Sequence, residues 1–221
     1  MTQNPIAEST ERFLAELEPA AREQLEQAML RDSVRAEGVE MSLADEINLG
    51  KAMLCIAGAD GLSREEMTGL KYLLIISGLP HEVQQHILAF DASTTQVSDV
   101  AALFPQASRQ ACYVLSGTTT VAALDGLSED EREFAVELGA RMGLAATLVV
   151  LLIAEAVANA EAMRVGNQEL VQALVRMREA LYDFAFEPPI SGDIGDLRAA
   201  EQSLVNLPKV ELTPVDDDES G

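Results

Sequence analysis

The sequence predicts an all-α protein, a helical bundle built from two helix–Asp-Gly-turn–helix repeats. Its 221 residues are 48% hydrophobic but only 4% aromatic, so aliphatic side chains must form most of the core. The abundant Ala, Leu and Glu favour helices over strands, and no segment alternates with the period of a strand. Residues 57–66 recur 65 residues later as residues 122–131, with Asp, Gly, Leu, Ser and Glu at equivalent positions. An internal repeat of this kind constrains the architecture around it.

The first domain is predicted to be an N-terminal helical arm over residues 1–41. Residues 1–9 are polar and are expected to be loose, whereas the apolar residues of 10–37 recur with the spacing of a helix face. Pro19 suits the first position of a second helix. This arm is expected to pack on the bundle or to bind a partner.

The second predicted domain, residues 42–185, contains the bundle. Its helices follow from caps, glycine stops and breaks, and they are expected at about residues 42–57, 63–77, 80–90, 98–104, 105–122, 128–142, 143–164 and 168–184. Pro105 is taken as the start of the long helix that leads to the second Asp-Gly. The third region, residues 186–221, is rich in Pro, Gly and acidic residues and is expected to be a disordered acidic tail.

The most apolar segment, residues 143–154, carries no charge and is followed by Glu155. A bilayer span needs about 20 apolar residues, whereas runs of about 10–14 are more often core helices. The segment is therefore predicted to be a buried helix of the bundle, with Leu151 in its core, and no transmembrane segment is expected.

The two Asp-Gly corners have a structural explanation. Asp and Gly favour a tight turn, Ser63 and Ser128 suit helix N-caps, and Glu66 and Glu131 stand where they complete capping boxes. Each cap is worth about 1 kcal/mol.

The same acids also support a functional interpretation. If the two halves pack about a pseudo-twofold axis, the corners could lie near one another and gather hard oxygen ligands for a divalent cation of the Ca²⁺ or Mg²⁺ class. The sequence after Asp60 lacks the ligands and the glycine of an EF-hand, so spacing alone leaves both interpretations open.

At these residues the chain resembles the TerB (tellurite-resistance B) domain, which is similar to the N-terminal cytoplasmic region of some membrane-anchored J-domain co-chaperones. The resemblance rests on the doubled Ala-x-x-Asp-Gly-x-Ser-x-x-Glu pattern and covers about residues 42–161. It implies a compact all-helical domain linked to stress and tellurite resistance. It also implies divalent-cation binding through the motif acids, which by position are Asp60, Glu66, Asp125 and Glu131.

Several classes of function are disfavoured by the composition. The net charge of −22 opposes binding to nucleic acid and to anionic lipid, and it favours cations and protein partners with basic surfaces. His81 and His86 lie five residues apart, which does not match a His-Glu-x-x-His metal site, and they are expected to be exposed. Cys55 and Cys112 are expected to be buried, reduced thiols, which together with the lack of a signal peptide predicts a cytoplasmic protein.

The sequence therefore favours a non-enzymatic, TerB-like module associated with stress or tellurite resistance, whose acidic corners bind a divalent cation or a basic partner surface. The alternative is a scaffold or adaptor in which the corners are structural and the N-terminal arm and acidic tail bind partners.

Overall fold

The computed structural model describes residues 4–32, 39–59 and 61–186. These residues form α-helices joined by short connections and a single 3₁₀ turn at Ala92–Thr94, and they contain no strand. The helices are α1 Pro5–Glu16, α2 Pro19–Asp32, α3 Leu43–Ala57, α4 Arg64–Ile76, α5 His81–Leu88, α6 Val97–Ala101, α7 Arg109–Ala122, α8 Glu129–Arg141, α9 Ala146–Arg164 and α10 Gln168–Phe186. The all-α prediction is confirmed; the predicted acidic tail lies outside the described residues.

The core is organised around α3, α7 and α9. Helix α7 packs against α3 on one side and α9 on another, while α10 covers α9. Almost every side chain of α3 is buried, including the polar ones of Glu46, Asn48 and Lys51, so this helix lies inside the bundle. On α7 the small residues Ser116, Thr118 and Thr119 are fully buried, which allows neighbouring helices to approach α7 closely.

Helix α1 begins at Pro5, so the prediction that residues 1–9 are loose is wrong from Asn4 onward. The Asn4 side chain accepts hydrogen bonds from the Ile6 and Ala7 amides and donates to the Asp99 carbonyl at 2.7 Å. Because Ile6 is fully buried, this first turn is held by both a cap and core packing. The N-terminal arm therefore packs on the bundle, where α1 contacts α3 and α6.

The two corners share the same local conformation. Gly61 and Gly126 have φ of 115° and 112°, and the glycines that end α4 and α8, Gly78 and Gly143, have φ of 69° and 73°. Beyond each of these stops, the backbone N–H groups return to α4 and α8 in the pattern of a Schellman motif. The turns and stops predicted from the repeat are thus present, whereas the arrangement of the whole bundle as two repeats stays a prediction.

Helix α7 begins at Arg109, later than the predicted start at Pro105. Ser108 caps it by accepting from the Ala111 amide at 3.0 Å and donating its hydroxyl to the Pro105 carbonyl at 2.7 Å. The helix therefore begins after Ser108 and not at Pro105, because the serine side chain satisfies an otherwise free backbone N–H.

Helix α9 is partly exposed along its length. Leu152 is fully buried, but Leu151 is 45% exposed and Val150 is 62% exposed, so the prediction that Leu151 lies in the core is wrong by one position. Within the described residues, α9 is the one helix long and apolar enough to cross a bilayer by length and composition, and half of its apolar window is buried inside the protein. Glu155, in the middle of α9, is also buried.

Candidate cation site at the two helix corners

Capping boxes form at the first turns of both α4 and α8. Ser63 and Ser128 accept hydrogen bonds from the backbone amides of Glu66 and Glu131 at 3.1 and 3.3 Å. In return, the glutamate carboxylates accept from the Ser63 and Ser128 amides at 2.7 and 2.8 Å. One oxygen of each glutamate is therefore committed to its own helix start, as the structural interpretation of the corners requires.

The second feature of the corners is a contact between them. Glu66 and Glu131, which are 65 positions apart in sequence, are both 1% exposed, and their carboxyl groups lie close enough to interact with each other. The Oε1 atom of Glu66 is buried and receives no donor from the described residues. Two carboxylates in such a site cannot both be ionised cheaply unless a proton or a cation lies between them.

Burial and the neighbouring Glu131 raise the pKa of Glu66 to about 7, against the effect of the hydrogen bonds from Ser63, which lower it. Burial is the larger cause, because it removes the charged carboxylate from water. Near neutral pH Glu66 therefore gains and loses its proton, and any cation that binds there competes with that proton.

The other corner acids are not gathered around this pair. Asp125, Glu65 and Asp130 are exposed to solvent, and Asp60 lies outside the described residues. In the described part of the chain no three His, Cys, Asp or Glu side chains are close enough to hold a metal together. Of the four predicted ligands, the structure thus brings together Glu66 and Glu131 and leaves Asp125 at the surface.

The cysteines are buried and unpaired. Burial raises the pKa of Cys55 to about 11 and that of Cys112 to about 12, so both remain protonated thiols at neutral pH. Neither sulfur is a thiolate ligand in this environment.

The sequence interpretation missed a buried ammonium group on α3. Lys51 is fully buried, and its Nζ donates to the hydroxyls of Ser9 and Thr10 at 3.0 Å each and lies 5.2 Å from the centre of the Phe90 ring. Burial lowers the pKa of Lys51 to about 8. Nearby, His86 stacks on Phe13 at 4.1 Å between ring centres, so the prediction of an exposed His86 is wrong.

Comparisons of the chain with protein-family models, with curated proteins and with solved structures find no match.

Proposed function

We propose that this chain is a non-enzymatic, TerB-like helical module that binds a divalent cation between its two acidic corners. The observation that carries the proposal is the buried contact between Glu66 and Glu131. The doubled corner motif supports it further, because both copies place the same acid at the same position of a capped helix.

The starts of α4 and α8 favour cation binding indirectly, through their effect on the two glutamates. The positive end of a helix dipole stabilises an anion, so it keeps the two glutamates available as anionic ligands once Glu66 loses its proton. A divalent ion would then replace that proton and neutralise both carboxylates.

Ligand number favours Mg²⁺ or Mn²⁺ over Ca²⁺. Magnesium is usually bound through one or two carboxylates and retains several waters, whereas Ca²⁺ takes about six to eight oxygen ligands. Two glutamates, assisted by water, match the first pattern.

The test is the melting temperature of the full chain with millimolar Mg²⁺, Mn²⁺, Ca²⁺ or Zn²⁺, recorded at pH 6 and pH 8 on either side of the Glu66 pKa of about 7. A cation bound by the pair should raise the melting temperature, and more at pH 8, because the proton competes less there. Glu66→Gln and Glu131→Gln should each keep the fold and remove most of this increase.

Matched controls are Glu65→Gln and Asp130→Asn, which remove one charge from the same first turns at exposed positions. These variants should respond to cations like the unmodified chain. If they lose the response as fully as the Glu66 variant, the cation is attracted by surface charge. If the unmodified chain does not respond to any ion, the proposal fails.

A second candidate is an adaptor function, and α10 supplies the observation that favours it. Its exposed apolar residues Leu170, Met177 and Phe184 are spaced by seven, with Phe184 87% exposed. This spacing forms a stripe along one helix face, of the kind that packs against a helix of a partner. The high acidity of the chain favours a partner with a basic surface around that helix.

The adaptor alternative is tested with a double variant, Met177→Glu and Phe184→Glu. Both side chains are exposed, so the melting temperature should change little, whereas association with a captured basic helical partner should be lost. Retention of the partner by this variant would exclude the α10 stripe as the binding surface.

A further inference from the structure

A second candidate site is a groove between α3, α4, α7, α9 and α10, which reaches the first turn of α4 but is not lined by Glu66 or Glu131. The groove has a volume of about 740 Å³, within the range of about 300–1,000 Å³ that is usual for small-molecule sites. Most of its lining is apolar and includes Leu49, Met53, Leu73, Leu124, Val171 and Val175.

Buried polar atoms without partners converge on this groove. Asn159 lines it and is only 5% exposed, and its Oδ1 has no hydrogen-bond partner among the described residues. Arg178 also lines it, and its buried Nε is likewise without a partner in the described part of the chain. Buried polar groups are nearly always paired, so unpaired ones that line a groove indicate a ligand or water that satisfies them.

Glu155 lies on α9 one turn before Asn159. It is 1% exposed, neither of its oxygens has a hydrogen-bond partner among the described residues, and it interacts electrostatically with Arg178. Burial raises the pKa of Glu155, while the Arg178 charge opposes that increase. Tyr182, one turn along α10 from Arg178, is already engaged, since its hydroxyl donates to Ser116 at 3.3 Å.

Basic side chains make up a larger share of the charged residues around the groove than in the whole chain. Acids outnumber Lys and Arg by 37 to 15 in the sequence, whereas the groove is lined by Arg64, Arg164 and Arg178 against Glu65 and Glu179. Arg164 is paired with Glu161 at 2.6 Å, which leaves Arg178 as the arginine that is both half-buried and in contact with the apolar interior.

We propose that this groove binds an amphipathic carboxylate of the fatty-acid class, with its chain against the apolar wall and its carboxylate at Arg178 and Asn159. The Arg178 guanidinium matches a carboxylate in charge and geometry. A carboxylate only accepts hydrogen bonds, so the Asn159 carboxamide binds it through its NH₂ group. The site is separate from the Glu66–Glu131 pair and does not depend on cation binding there.

The first experiment compares three probes with the same ten-carbon chain, namely decanoate, decanol and decylamine, by calorimetric titration of the full chain. Decanoate should bind about tenfold or more tightly than decanol, because a hydrogen bond to a charged group contributes about 1.5–3 kcal/mol. Decylamine should bind most weakly of the three. Equal affinities, preference for the amine or no saturable decanoate binding would overturn the proposal.

Variants locate the binding. Val175→Trp fills the groove and should abolish decanoate binding, whereas the control Met177→Trp places the same ring at an exposed position outside the lining. Arg178→Met should lower decanoate affinity about tenfold and leave decanol unaffected, since only the carboxylate needs the charge. Arg176→Met is the matched control, because Arg176 is exposed and does not line the groove.

Asn159→Leu separates a binding role from a structural one. If Asn159 serves a ligand, removal of its unpaired polar group should leave the melting temperature of the free protein unchanged or higher, while decanoate affinity falls. A large loss of stability with unchanged decanoate affinity would show that Asn159 is structural. Undiminished binding by the Val175→Trp variant would place the ligand elsewhere and overturn the site.

Discussion

At the scale of single residues, Glu66 links stability to pH. Its folded-state pKa of about 7 is above the ordinary value of 4.5. A carboxyl with a raised pKa contributes its full stability below the unfolded pKa, and that contribution is lost as the pH rises through the folded pKa. The free energy of unfolding should therefore decrease as the pH rises from 4.5 to 7, and it should stay at the lower value above pH 7.

Glu66→Gln should remove this decline, because glutamine keeps the cap and carries no titrating proton. Without divalent ions at pH 8, we expect the variant to be more stable than the unmodified chain by about 1–3 kcal/mol, since one pKa unit corresponds to about 1.4 kcal/mol. Urea unfolding at a series of pH values measures the difference. Parallel curves for the two proteins would show that Glu66 titrates normally.

For Lys51 the predicted dependence of stability on pH is the opposite of that for Glu66. Because its folded pKa of about 8 is below the ordinary 10.5, its contribution to stability is present above pH 10.5 and is lost as the pH falls through 8. In the Lys51→Met variant the free energy of unfolding should change less with pH between those values. At pH 10 it should lie within about 1 kcal/mol of that of the unmodified chain. A variant with an unchanged slope would mean that Lys51 does not titrate in this range.

Features of single residues were predictable from the sequence where they depend only on neighbouring positions in the chain. The capping boxes follow from Ser and Glu three positions apart, and both were predicted with the correct residues. The contact between Glu66 and Glu131 depends on how distant helices pack, so spacing could only raise it as a possibility. The burial of Lys51 escaped prediction because α3 is buried around its whole circumference, and periodicity cannot identify a buried polar position on such a helix.

At the scale of helices, α9 shows how finely exposure changes along one element. Leu152→Ala should destabilise the protein by about 2–5 kcal/mol, because it leaves a cavity in the core. Leu151→Ala should have an effect below about 1 kcal/mol, because this side chain is 45% exposed. Chemical denaturation of the pair measures both values, and equal losses would contradict the orientation of α9.

Helix positions were predicted best where glycine stops and serine caps coincide, as at the ends of α4 and α8. The starts of α1 and α7 were misplaced because tertiary contacts and competing caps decided them. Asn4 is fixed by its bond to Asp99, which is 95 positions away in the chain. No local signal in the sequence reveals that partner.

At the scale of the whole molecule, the net charge of −22 opposes compaction. Raising NaCl from about 0.01 to about 0.3 M shortens the range of that repulsion and should raise the melting temperature. KCl should act equally, and the Glu66→Gln variant should respond as the unmodified chain does. A melting temperature that falls or stays constant with salt would contradict this account. If Mg²⁺ raises the melting temperature further at high NaCl, that increase reports binding at a specific site.

The linked capping boxes also have a consequence for amide hydrogen exchange. The backbone N–H groups of Ser63 and Ser128 each donate to a carboxylate, and those two carboxylates contact each other. Opening one helix start withdraws its glutamate and exposes the other to solvent, so the two starts should open as one cooperative unit. The exchange rates of these two amides should therefore move together across solution conditions, although they belong to different helices.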